Sequence, residues 1–176
     1  MASTQELLSD PASVGVWNVV ADRSTIAFKA KSMWGLMSVN GRFTDFSGDG
    51  QITDTQTIFG RLDVQVGSVD TKIRKRDDHL RSADFFEADK FPDISLVVTG
   101  AEAITGDTVD LRAQLTVKGT TAPVPLRTKV TVLDDGSVRL SAQATIDRKD
   151  FGVDGNMMGM IPDDATISGD VVFRRG

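Results

Sequence analysis

Apolar and polar residues alternate with a period of two along most of this chain. Ile26, Phe28 and Ala30 interleave with Thr25, Ala27, Lys29 and Lys31, and Leu62, Val64 and Val66 interleave with Arg61, Asp63 and Gln65. Ile94, Leu96 and Val98 share one parity, as do Leu111, Ala113, Leu115 and Val117. The clearest run is Val124, Leu126, Thr128, Val130 and Val132, set against Arg127, Lys129 and Thr131. Val138, Leu140, Ala142, Ala144 and Ile146 follow, then Ile167, Gly169, Val171 and Phe173. Successive side chains on a strand point to opposite faces, so each run predicts a half-buried strand. Between Val39 and Ile52 the pattern is broken by Gly41, Gly48 and Gly50, residues expected where a sheet bulges or coils sharply.

The turns are legible as well. Asp134-Asp135-Gly136 and Thr105-Gly106-Asp107 link strong strands, and Lys118-Gly119-Thr120 ends another. About eight or nine strands joined by short loops predict an up-and-down antiparallel order. Each strand has a single apolar face, so the sheet must close on itself or pack on a second sheet. Alternation does not separate a barrel from a filled sandwich.

One segment departs from this pattern. From about Lys72 to Ala83 the chain is rich in Arg, Lys and Asp and lacks β-branched residues after Ile73. Ile73, Arg76 or Asp77, Leu80 and Ala83 recur at helical spacing, with Asp70 or Thr71 placed to cap the start. A lone helix among strands is expected to plug or lid a barrel mouth. The aromatic knot Phe85, Phe86 and Phe91 follows it.

At 176 residues the chain is read as one domain, residues 15–176, behind a flexible or loosely docked lead-in of residues 1–14. Leu7 and Leu8 are placed to pack as a short helical turn. The absence of cysteine excludes disulfides, thiol nucleophiles and thiolate metal sites, and the single histidine, His79, excludes multi-imidazole metal centres. No metal and no cofactor are expected. A formal net charge of −5 without a basic stripe argues against nucleic acid. No run approaches transmembrane length and the first residues lack a signal-peptide pattern, so a cytoplasmic location and at most transient membrane contact are expected.

Candidate chemistry is sparse. His79, beside Asp77 and Asp78, reads either as a general acid or base or as a structural histidine, and no nucleophile is marked. The cations Lys72, Arg74, Lys75, Arg76 and Arg81 read as a solvated helix face, with Arg74 and Asp78 at i,i+4 spacing, or as a site for an anionic headgroup. Arg76-Asp77 and Asp147-Arg148 read as ion pairs tying the helix to the barrel rim. The apolar inventory carries more. Nine Phe and six Met with no Tyr would make a dry lining with few hydrogen-bonding handles, suited to hydrocarbon. Gly155-Asn156-Met157-Met158-Gly159-Met160 has the composition of an adaptable apolar gate.

Several blocks in order resemble the YceI-like family of lipocalin-like, polyisoprenoid-binding barrels. They are Trp17 with Asp22 and Ser24; Gly41-Arg42-Phe43 with Phe46-Ser47-Gly48; and Ser68-Val69-Asp70-Thr71 followed by Arg76-Asp77-Asp78-His79-Leu80-Arg81-Ser82-Ala83-Asp84-Phe85-Phe86. Phe91-Pro92-Asp93-Ile94, Leu115-Thr116-Val117-Lys118-Gly119-Thr120-Thr121 and Ile146-Asp147-Arg148-Lys149-Asp150-Phe151-Gly152-Val153 continue the match. Many members carry a His-Ser pair where this chain has Arg23-Ser24. The resemblance implies an all-β fold, a single antiparallel lipocalin-like barrel of about eight strands with one short α-helix at about 72–83 near one end. It also implies a long apolar pore for polyisoprenoids, isoprenoid quinones or related lipids.

These readings converge on a lipid-binding carrier that holds an isoprenoid or other long-chain amphiphile and is not an enzyme. The alternatives are a small hydrolase or isomerase acting on a lipid in the same barrel, and a ligandless stress or structural barrel. The residues expected to line the tunnel are Phe28, Trp34, Met37, Phe43, Leu62, Leu115, Phe151, Met157, Met158 and Met160. Arg74, Arg76 and Arg81 are the headgroup candidates. A homodimer is left open, as is the choice between transport, storage and sensing.

Overall fold

The structure, a computed structural model, describes residues 4–32, 37–153 and 164–176, with the side chains of residues 31, 32, 37 and 103 outside the description. Its strands are β1 (Gly15–Val19), β2 (Thr25–Ser32), β3 (Met37–Phe43), β4 (Phe46–Ile52), β5 (Ile58–Gln65) and β6 (Val69–Asp70). They continue with β7 (Asp93–Thr105), β8 (Thr108–Val117), β9 (Thr120–Val132), β10 (Val138–Asp147) and β11 (Asp164–Arg175). Two α-helices accompany them, α1 (Thr4–Ser9) and α2 (Arg74–Arg81).

The segments make a closed antiparallel barrel of eight rods, three of which are broken once. β1 and β2 both pair with β11, β3 pairs with β2 where β4 pairs with β1, and β5 and β6 continue the third rod. β7 to β11 then run up and down, and β11 returns to β1 and β2 to close the ring. The breaks lie side by side: a 3-10 turn at Ala21–Arg23, the step between Phe43 and Phe46, and a 3-10 turn at Val66–Ser68. Crossing bonds hold the steps together, Gln65 N–H to Asp45 O at 2.9 Å and Thr44 N–H to Ser68 O at 3.3 Å. One wall of the barrel therefore bends as a unit, the local kink that closure demands.

The period-two runs behave as the sequence predicts. In β9, Val124, Leu126, Thr128 and Val130 are buried while the residues between them are exposed. Lys118 and Gly119 both take positive φ, 52° and 78°, in the two-residue turn between β8 and β9, the conformation that hairpins with right-handed twist favour. A side chain at Gly119 would also stand 2.8 Å from the Phe91 ring, so the turn must be bare where the loop after α2 crosses it.

The lead-in carries structure of its own. Leu8 is 2 % exposed, and the Thr4 N–H donates to Gly106 O in the β7–β8 turn at 3.1 Å. The Trp17 indole N–H donates to Ser13 O at 2.9 Å and ties the following 3-10 turn to β1. This covers the barrel end opposite α2. The barrel thus has an α1 end, with the β7–β8 and β9–β10 turns, and an α2 end, with the β8–β9 turn.

Candidate functional site

Inside the barrel the inward residues leave a cavity of about 480 Å³ with mostly apolar walls. It begins at the α2 end among His79, Phe85, Phe86 and Phe151 and runs down to Thr128, Leu140 and Phe173. Of the residues expected from sequence, Phe28, Phe43, Leu62, Leu115 and Phe151 line it. Trp34, Met157, Met158 and Met160 lie outside the described residues, as does the side chain of Met37.

The aromatic wall is built from strand parity. Phe28 on β2 faces Gly41 on β3 across the rung, and two residues on, Phe43 presents the same face. The Phe28 and Phe43 rings lie 5.6 Å apart at 44°, and Phe86 meets Phe43 edge-on at 6.2 Å and 73°. These are the offset and T-shaped arrangements that aromatic quadrupoles prefer. The loop after α2 thereby plugs into the strand wall, the lid role expected of the helix.

The docking of α2 differs in detail from the sequence reading. Ile73 occupies the N-cap position with no side-chain cap, and its side chain is 51 % exposed. Asp70 instead accepts the Lys72 N–H at 2.9 Å, which holds the Asp70 carboxyl below the usual carboxylate range. The anchor is Thr71, 3 % exposed. Buried Asp77 accepts from the Thr71 N–H at 2.8 Å and from its hydroxyl. Arg76 donates to Thr71 Oγ1 at 2.8 Å and to Thr71 O at 2.7 Å. Arg76 and Asp77 therefore meet on Thr71, and among the described residues they form no ion pair with each other. Asp78 pairs with Arg81 at 2.9 Å in place of Arg74.

The three headgroup candidates separate. Arg76 lines the cavity, Arg74 is exposed on the outer side of α2, and Arg81 is spent on the wall, donating to Gly67 O at 3.0 Å and Val69 O at 3.1 Å. His79 also lines the cavity. Its partner is Asp84, at 3.0 Å from Nε2, and its ring meets Phe85 edge-on at 5.0 Å.

Sequence reasoning missed Arg148 as a lining residue. Its side chain is 7 % exposed at the cavity wall and donates to Val153 O at 2.7 Å. The signal was present: Val138, Leu140, Ala142, Ala144 and Ile146 share a parity that places residue 148 on the same inward face. Asp147 accepts the Lys149 N–H at 2.9 Å and caps the 3-10 turn Arg148–Phe151, and among the described residues it does not bond to α2. Lys118 holds the two rim loops together, donating to Ala83 O at 3.0 Å and Gly152 O at 3.2 Å.

Among the described residues no group of three or more His, Asp or Glu is arranged to hold a metal ion, and no helix is long and apolar enough to cross a membrane. A mostly apolar wall with two guanidinium groups and one imidazole at one end can hold a hydrocarbon chain and meet a polar group at the rim.

The likeness to known proteins agrees with this geometry. A UPF0312 protein of Pseudomonas aeruginosa is 34 % identical over 135 residues, spanning 73 % of this chain and 70 % of the relative. Protein YceI of Shigella flexneri is 34 % identical over 120 residues, 64 % of this chain and 62 % of that protein. Two solved structures share the fold: Burkholderia cenocepacia BcnA, with a TM-score of 0.79 at 19 % identity, covers 88 % of this chain and 98 % of its own. A domain from Saccharophagus degradans described as polyisoprenoid-binding has a TM-score of 0.76 at 18 % identity, over 91 % of this chain and 98 % of its own. The model of the YceI-like domain matches residues 17–173, and the chain belongs to that family.

Proposed function

We propose that this protein is a lipid carrier that encloses the hydrocarbon part of an isoprenoid or similar long-chain amphiphile in the barrel. The observation that carries this reading is the apolar tunnel of about 480 Å³ along the barrel interior. Burial of hydrocarbon supplies about 0.8 kcal/mol per CH₂-sized group, so a fifteen-carbon chain gains on the order of 12 kcal/mol gross. Association and ordering costs of several kcal/mol leave binding near the ~8 kcal/mol that micromolar affinity requires. The α2 end is where the polar group belongs, because Arg76, His79 and Arg148 line the cavity there. A quinone ring, a hydroxyl or an anionic group would each find a donor among them. Among the described residues the tunnel lining is mostly hydrocarbon, which favours holding a lipid over transforming it.

Native mass spectrometry of the protein as purified, followed by solvent extraction, tests the reading. A stoichiometric prenyl or acyl adduct supports it and names the ligand class. A protein that stays unliganded after incubation with prenyl and acyl lipids overturns it in favour of a structural barrel.

A further inference from the structure

The lead-in helix α1 lies outside the family-matched region, which begins at residue 17. It nevertheless packs against the barrel. Leu8 is buried in one cluster with Trp17, Ile52, Val109, Val130 and Val138, at the end of the barrel opposite α2. None of these six residues lines the tunnel. The division falls within single strands. Leu126 and Thr128 of β9 line the tunnel and Val130 does not; Leu111 of β8 lines it and Val109 does not; Leu140 of β10 lines it and Val138 does not. The tunnel therefore has a floor, where Thr128, Leu140 and Phe173 line its last layer, and α1 packs beneath that floor.

We propose that α1 makes the tunnel blind and so sets the longest prenyl or acyl chain this protein accepts. This deepens the lipid-carrier reading and rests on it. The floor bounds a cavity of about 480 Å³. Units beyond that capacity stay outside the barrel. A vesicle buries every unit of a longer chain and the blind tunnel does not, so transfer from membrane to protein falls as the chain grows. Leu8 is the residue on which the seal depends, because it is the fully buried apolar side chain of α1.

The test is transfer of farnesol, geranylgeraniol and solanesol, alcohols of three, four and nine prenyl units, from phosphatidylcholine vesicles to the full chain. The first two are expected to transfer comparably and solanesol at least tenfold less. Leu8→Asp in the full chain, with far-UV circular dichroism retained, is expected to recover solanesol transfer about tenfold and leave farnesol unchanged. Thr128→Met, which raises the floor without touching α1, is expected to lower geranylgeraniol transfer several-fold more than farnesol, and serves if Leu8→Asp does not fold. Equal transfer of farnesol and solanesol to the unaltered chain overturns the proposal while the carrier reading stands, as does a folded Leu8→Asp with no gain. If none of the three alcohols transfers, the carrier reading fails and the proposal fails with it.

Discussion

Ser24 Oγ replaces a missing backbone rung opposite Val172. The Val172 N–H donates to Ser24 Oγ at 2.8 Å, and the Ser24 hydroxyl donates in turn to Val20 O at 2.7 Å. The Val20 N–H donates to Val172 O at 2.8 Å. The first rod breaks at Ala21–Arg23, and one hydroxyl satisfies a donor on β11 and an acceptor ahead of the break. Val172 is 0 % exposed, so no solvent can substitute. Ser24→Ala is expected to destabilise the barrel by about 1–3 kcal/mol, the cost of an unsatisfied buried donor. Urea unfolding measures it, and hydrogen exchange at Val172 should quicken; an unchanged midpoint would remove Ser24 from the closure.

Thr71 holds α2 to the barrel. Thr71→Val keeps the shape and removes the hydroxyl that Asp77 and Arg76 share. A loss of about 1–3 kcal/mol is expected, with faster proteolysis in the segment between β6 and β7. Protease resistance equal to the parent chain would show that the aromatic contacts alone dock the lid.

Gly41 gives the Phe28 ring its seat. A Cβ at Gly41 would lie 2.4 Å from Phe28 Cζ, so Gly41→Ala must push the ring off its place in the tunnel wall. Overpacking of this kind costs about 1–3 kcal/mol. Each ~1.4 kcal/mol that reaches the ligand is tenfold in affinity. Titration of a prenyl alcohol against the folded variant measures the effect, and an unchanged Kd would take Phe28 out of the contact surface.

Leu115 is buried in the middle of β8 and lines the tunnel, whereas its neighbour Gln114 is exposed. Leu115→Trp is expected to obstruct the chain and lower lipid binding by at least tenfold, on the order of 1.4 kcal/mol. Gln114→Trp, one residue away on the outer face, should leave binding as it was. Equal effects from the two would mean that the lipid is held elsewhere.

Asp135 predicts an acid-limb effect. Its carboxylate accepts from the Ser137 hydroxyl, from the Ser137 N–H at 3.0 Å and from Arg23 at 2.9 Å. These bonds, the hydroxyl's first, hold its pKa far below the ordinary 3.8. A depressed carboxylate stabilises the fold fully above its unfolded pKa and loses that contribution as pH falls below it. Asp135→Asn should therefore destabilise at pH 7 and flatten the decline in stability from about pH 4 downward. Urea midpoints across that range decide it; a variant with the parent's slope would show that this turn does not contribute to acid sensitivity.

Much of the site could be read from the chain because parity is local. Phe43, Leu62 and Leu115 face inward because their neighbours in sequence are polar and the strand period is two, and Phe28 follows the parity of Ile26 and Ala30. Arg148 was missed because its charge outweighed its parity. Arg76 and Arg81 looked alike on the helix, and only the docking of α2 turns one toward the cavity and spends the other on Gly67 and Val69.

The sequence by itself determined which positions are strands, which face of each is apolar, where the hairpins turn and where the single basic helix interrupts. These follow from forces acting within a few residues. Only the tertiary structure decided that the sheet closes, that three rods break side by side, and that α1 packs at one end of the barrel. Each of these depends on residues far apart in the chain, Ser24 with Val172 and Thr4 with Gly106. No local pattern encodes such contacts, because their free energy exists only once the ring has closed.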